Sequence, residues 1–151
     1  AFTATGTTNC SVAHKVANND TIPFGKLLTE DLWTGMTQGA HLPSITTEIS
    51  TANLVAGVTV HTQALEQLAT ALGYAADDSM SILKKGRIYV AVEDAVTKDQ
   101  QAYVRFTASG TKTIGSFLSG TDSGKAVALP YSRYTRAASA GGITILELNL
   151  P

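Results

Sequence analysis

The sequence predicts an all-β protein: a β-barrel or jelly-roll-like sandwich of about eight to ten short strands, with one short helix near residues 62–73. Three observations carry this reading. Apolar and polar residues alternate over several strand-length runs. Clusters of Gly, Asn, Asp, Ser and Pro punctuate those runs at short intervals. The last stretch, Gly142-Ile143-Thr144-Ile145-Leu146-Glu147-Leu148-Asn149-Leu150-Pro151, is so apolar that it belongs between two neighbours inside a sheet. At 151 residues the chain is one ordinary domain. Such a domain buries roughly 68–70% of its unfolded surface, enough for a core without staples.

The elements follow in order. Residues 1–12, including Phe2, are Thr-rich and aperiodic and read as an N-terminal arm preceding a single β domain over 13–151. Ala13–Ala17 leads into the turn cluster Asn18-Asn19-Asp20. In Ile22–Leu28, Pro23 has no N–H and belongs at a strand start or sheet edge. Thr29–Ser44 reads as loop with one short strand, and Trp33 and Met36 as core plugs. In the strand Ala52–Val60, period two puts Leu54, Ala56, Val58 and Val60 on one face. Gly57 falls on the other face, where it admits close packing or a bulge. Thr62–Gly73 is the helical signal: Leu65, Leu68 and Leu72 share a face, Thr62 caps the start and Gly73 the end.

Ser79–Val92 reads as two strand arms around a basic, glycine-marked corner at Lys84-Lys85-Gly86-Arg87. Strict alternation back from Val92, Val90 and Ile88 to Ile82 would place Lys84 on the apolar face, so a bulge or sharp bend is expected at Lys85-Gly86. Ala102, Val104 and Phe106 alternate against Tyr103, Arg105 and Thr107, which reads as a half-exposed strand. Short strands are expected at Ile114–Leu118 and Ala126–Leu129, flanked by turns at Ser109-Gly110 and 119–124. Tyr131–Ala140 reads as a loop before the final strand.

Bulk properties narrow the function. The net charge of −1 argues against free nucleic acid as partner, because phosphate binding needs a basic field. No run approaches the roughly 18 apolar residues of a membrane span. Charged residues make up 15%, below the usual quarter, and hydroxyl residues and Gly fill the gap. Such a surface suits one that other subunits cover, and equally any Thr-rich β protein. A lone Cys10 forms no intrachain disulfide and reads as a small apolar residue. The start at Ala1, without a basic or apolar leader, fits a protein made and kept in a cytoplasm.

The chain offers little chemistry. His14, His41 and His61 lack a second ligand at metal spacing, and no cofactor pattern is present. Asp77-Asp78 and Glu93-Asp94 are adjacent carboxylates that read as turn residues, at most a weak cation site. Gly120–Lys125 resembles a phosphate loop only superficially: three residues rather than four separate the glycines, and Ala126 follows the Lys. No Ser lies in a G-x-S-x-G elbow. The best candidates are contact residues: Lys84, Lys85 and Arg87 at the strand corner, and Arg133, Tyr134 and Arg136 in the late loop, since Arg and Tyr anchor protein interfaces.

Four segments then fall into a recognisable order: Asp20-Thr21-Ile22-Pro23-Phe24-Gly25-Lys26, the strand Leu54–Val58, Ser81–Val90 with its Leu83-Lys84-Lys85-Gly86-Arg87-Ile88-Tyr89-Val90 core, and the Gly141-Gly142 strand at the end. This set resembles the capsid cement (decoration) proteins of tailed bacteriophages, whose layout runs I-P-F-G, a G-I/V strand, V-L-R-K-G-R-V-W-V and a Gly-Gly terminal strand. The resemblance implies a β-barrel or jelly-roll-like subunit on the outer surface of a virion, bound at junctions between capsomers. It implies a major capsid protein of HK97-type fold as partner, a homo-oligomer (dimer or trimer), and neither catalysis nor a cofactor. Two other classes are weighed beside it. A carbohydrate- or receptor-binding sandwich would need a row of exposed aromatics, and the sequence supplies Trp33 and scattered tyrosines. A trimeric enzyme with its site between subunits would need convergent His, Asp or Lys residues, which no spacing shows.

Overall fold

A computed structural model describes residues 4–16, 22–30, 39–60, 73–74 and 79–151. Residues 62–72 of the helix expected near 62–73, the plugs Trp33 and Met36, the carboxylates Asp77-Asp78, and Phe2 lie outside the described residues. The elements are β1 (Ala4–Val16), β2 (Ile22–Pro23), β3 (Leu27–Glu30), β4 (Gly39–His41), α1 (Thr46–Ser50), a 3-10 turn (Ala52–Leu54), β5 (Val55–Thr59), β6 (Gly73–Tyr74), β7 (Ser79–Ala91), β8 (Tyr103–Arg105), β9 (Phe117–Leu118), β10 (Ala126–Ala128), β11 (Ser132–Tyr134) and β12 (Ile143–Asn149). The all-β expectation holds.

The larger sheet runs β1-β4-β3-β5-β7-β12-β11, and β1 also pairs with β7. Five strands therefore close into a ring, β1–β4–β3–β5–β7–β1, while β12 and β11 continue outward as a limb. β7 makes this possible because its far edge changes partner along its length. Ile82 and Leu83 pair with β5, whereas Lys85–Ala91 pair with β12. The final strand thus lies between β7 and β11, inside the sheet as its apolar sequence requires. The expected arm boundary at residue 12 falls within β1, which pairs with β7 at Ala4, Thr5, Asn9–Ser11, His14 and Lys15.

The basic corner is not a corner: β7 is one continuous strand of 13 residues. It carries instead a bulge, one residue before the expected Lys85-Gly86. Asn9 pairs with Lys85 and Cys10 with Leu83, so Lys84 is the extra residue. The bulge switches parity. Ile88, Val90 and Val92 join the main core together with Leu83, while Ile82 turns to a second cluster with Ile22, Phe24, Leu28 and Ala56.

A matching irregularity occurs in β5. Leu28 pairs with Gly57 but Thr29 with Val55, leaving Ala56 as the extra residue. Ala56 consequently enters the second cluster and Val58 the main core, which corrects the expectation that they share a face. Gly57 is required here. Its φ is +138°, and a Cβ would lie 2.3 Å from the Leu83 carbonyl oxygen and 2.6 Å from Ile82 Cγ2. The Pro23-Phe24-Gly25-Lys26 turn is bound to the same strand. Gly25 N–H donates to the Thr59 carbonyl (3.0 Å), Lys26 N–H to Thr59 Oγ1 (3.0 Å), and Thr59 Oγ1 in turn to the Pro23 carbonyl (2.9 Å). Pro23 sits in the two-stranded β2–β6 sheet, where its missing N–H does no harm.

A three-stranded sheet, β10-β8-β9, packs through Val104 and Phe117 onto the main core beneath β7 and β12. Short α1 adds Ile49 to that core, and Glu48 Oε2 accepts the backbone N–H groups of Ser44 (2.7 Å) and Ile45 (3.3 Å) at its start. The expected loop over Tyr131–Ala140 contains β11. It pairs Arg133 with Glu147 and Tyr134 with Leu146. Gly57→Ala is expected to destabilise the fold by at least about 2 kcal/mol, combining overpacking with a positive-φ penalty. The midpoint of urea unfolding measures it, and an unchanged midpoint would remove the close-approach argument.

Candidate interaction surface

β12 alternates cleanly. Thr144, Leu146 and Leu148 face the core, while Ile143, Ile145, Glu147 and Asn149 face out. Register then aligns the outer residues of three strands into rows. Arg87 of β7 lies opposite Glu147 of β12, which lies opposite Arg133 of β11. Arg87 Nε donates to Glu147 Oε2 (2.8 Å), Arg133 Nε to Glu147 Oε1 (3.1 Å), and an Arg133 terminal nitrogen to Asp99 Oδ1 (2.8 Å). The result is an exposed ladder of alternating sign: Asp99, Arg133, Glu147, Arg87. Hydrogen bonds from Arg87 and then Arg133 lower the Glu147 pKa, and Glu147 raises that of Arg133. Exposed pairs of this kind contribute only about 0.2–1 kcal/mol each. The ladder is therefore better understood as a patterned surface than as a main source of stability.

On one side of the ladder Tyr131, Ser132, Arg133, Glu147 and Asn149 line a shallow depression. Tyr131 is 62% exposed there. On the other side lie the half-buried Tyr89 and Ile145, then Ile143, which is 55% exposed.

Two separately singled-out groups of cations, at the β7 bulge and in the late loop, are thus joined through Glu147. Lys85 is exposed opposite Asn149. Lys84 is half-buried, and its carbonyl accepts the Leu150 N–H (3.2 Å). Arg136 is exposed, and its carbonyl accepts Thr144 Oγ1 (2.6 Å). Tyr134 must be corrected: it is fully buried, its hydroxyl donates to the Leu118 carbonyl (2.8 Å), and burial raises its pKa. It offers no surface to a partner. Sequence reasoning missed Glu147, Asp99, Tyr131 and Asn149. The usable signal was Glu147, the one charge within Ile143–Asn149.

A second charged group is structural. Arg105, expected on the exposed face of its strand, is fully buried. Its Nε donates to both Glu93 oxygens (3.0 and 3.1 Å), one terminal nitrogen bonds Glu93 Oε2 (2.7 Å) and Asp122 Oδ2 (2.5 Å), and the other bonds the Thr107 carbonyl (3.2 Å). Every face of the guanidinium is occupied, so it clamps two loops onto β8. One loop carries the left-handed residues Asp122 (φ 44°) and Ser123 (φ 55°). Asp122's pKa is lowered by its hydrogen bond from Arg105. Nearby, Lys26 Nζ donates to Thr113 Oγ1 (2.9 Å) and Ser116 Oγ, and burial lowers its pKa while Glu93 opposes that shift. These groups are engaged with one another and pin loops. Among the described residues no cluster of three or more His, Cys, Asp or Glu could hold a metal ion, and no helix is long and apolar enough to cross a membrane.

The geometry defines a β-rich protein with a face of alternating charge. The chain belongs to the structural cement protein family (E217 gp24/Pam3 gp6), whose model matches residues 2–149. It is thus a capsid structural protein of a bacteriophage virion. Among solved structures it is similar to a chain of "The capsid of Myoviridae Phage XM1", with a TM-score of 0.69 and 15% identity over 95% of this chain and 84% of that one, a likeness of fold. No curated protein matches it.

Two outcomes follow. Arg105→Leu removes the hydrogen bonds that Arg105 gives the nearly buried Glu93 carboxylate, leaving it only the longer pair with Lys112 (3.9 Å), and should cost about 3 kcal/mol in chemical denaturation. A loss below about 1 kcal/mol would show that the clamp carries no weight. The pH dependence has a definite sign. Asp122 and Glu147 have folded pKa values below their ordinary 3.8 and 4.5. Their contribution is full above those values. It is lost as pH falls below them, because the unfolded chain takes up protons first. The urea midpoint should drop between pH 6 and pH 3, and less steeply in Asp122→Asn and Glu147→Gln.

Proposed function

We propose that this protein binds the outer surface of a capsid at junctions between capsomers and holds neighbouring capsomers together. The partner is a major capsid protein of HK97-type fold, and the working unit is a small homo-oligomer. The family match over residues 2–149 is the observation that carries this reading. The physics supports it. A shell under internal pressure fails where capsomers separate, and a subunit touching two of them adds interface at that seam. Standard interfaces bury about 1,600 Å² in total, and linked contacts raise avidity by roughly 10²–10⁴.

The protein-contact residues in this reading are Phe2, Lys84, Lys85, Arg87, Arg133 and Arg136, used against the shell or against another copy. Surface cations such as Lys85, Arg87, Arg133 and Arg136 steer association and tune specificity more than they add raw affinity. The function is adhesion through shape and charge, with no substrate turned over.

Reconstitution tests it. Purified protein added to phage heads lacking it should bind saturably and raise their resistance to heat or chelator. Cryo-electron microscopy of those heads should show added density over capsomer boundaries. A Lys85→Glu/Arg136→Glu variant should bind about tenfold or more weakly, with a steeper loss at low salt. Heads that remain bare, or density confined to capsomer centres, would overturn the proposal.

A further inference from the structure

We infer that the outer face of β11, β12 and β7 is a two-fold interface between two copies of this chain, centred on the Asp99–Arg133–Glu147–Arg87 ladder. This rests on the homo-oligomer in the function just proposed and names the surface that makes it.

The sign pattern is the first argument. The ladder reads minus, plus, minus, plus across the sheet and sums to zero. A closed dimer places one surface against itself, reversed about the two-fold axis. With the axis along the strands between β11 and β12, the row meets its own reverse. Asp99 faces the second copy's Arg87, and Arg133 faces the second copy's Glu147, each pair occurring twice. An unpatterned charged face would meet like charge under the same operation, at a cost of several kcal/mol. A row of alternating charges of even number is one of the few patterns that is its own complement.

The relief of the face is the second. The same rotation carries Tyr131 over the second copy's Asn149, within the depression that Arg133, Glu147 and Asn149 line. Tyr131 is among the most exposed large apolar side chains described, and it stands just before β11 with a left-handed backbone, φ 55°. It has the form of an anchor presented beside a matching hollow. Ile145 and Ile143, close to the axis on the other side, give the face an apolar strip. Face-to-face sheets pack through such outward-pointing residues.

Sedimentation velocity on the full chain, with thermal unfolding as a folding control, tests this. The wild type should sediment as a dimer. Glu147→Arg turns the row into minus, plus, plus, plus, sets Arg133 against the second copy's new cation, and should weaken dimerisation by at least about tenfold. The fourfold exchange Asp99→Arg, Arg133→Glu, Glu147→Arg and Arg87→Glu inverts every sign, preserving the pairing within each chain and the self-complementarity between chains. It should dimerise with itself and fail to form mixed dimers with the wild type, because wild type and exchange present like charges to one another. An oligomer, dimer or trimer, that Glu147→Arg leaves intact would overturn the face while sparing the homo-oligomer reading. A wild type monomeric both in solution and on reconstituted heads would overturn both.

Discussion

The architecture depends on β7 having two different neighbours along one edge. Over Ile82 and Leu83 both faces of the strand are buried, one in each apolar cluster, and β5 occupies the edge. Beyond Lys85 one face is exposed and β12 occupies the edge. The extra residue at Lys84 reconciles these demands, since it shifts the inward-facing positions from odd to even numbers between the two halves. Gly57 is the counterpart on β5. Without a side chain there, β5 approaches the Leu83 carbonyl closely enough to hold its place beside β7 in the ring.

These positions explain what could be read from the chain alone. The bulge at Lys84 was legible because a Lys interrupted an otherwise regular apolar parity. The embedded final strand was legible because β12 has apolar residues on both faces. The shared face of Ala56 and Val58 was misread, since alternation assumes an unbroken ladder and the interruption depends on the register with β3, which lies far away in sequence. β11 was read as loop because three residues give too short a period, and its pairing with β12 supplies the order.

The charged ladder was half legible. Cations are visible in a sequence, so Arg87 and Arg133 were identified, but the carboxylate that joins them depends on which residues register places side by side. Tyr134 illustrates the reverse error. A tyrosine between two arginines looks like an interface anchor, yet strand alternation turns it inward, where its hydroxyl finds a carbonyl. Arg105 was misplaced for a related reason. Alternation assigns it outward, and only the convergence of Glu93 and Asp122 makes its burial tolerable. The ordered set of weak segments was more informative than any one of them, and the family match agrees with the resemblance they carried.

The ring also sets how the chain must fold. Ala4 meets Ile88, 84 positions along the sequence (88 − 4), before the five strands can close. Contacts at such separation demand the loop-closure entropy in advance, which places the molecule among slow, high-contact-order folders. Until β1 arrives, one side of β7 is an unsatisfied row of amides and carbonyls, open to any passing strand. Rapid production of many subunits would therefore favour kinetic traps, and the yield of assembly-competent protein would be governed by the rate of ring closure as much as by final stability.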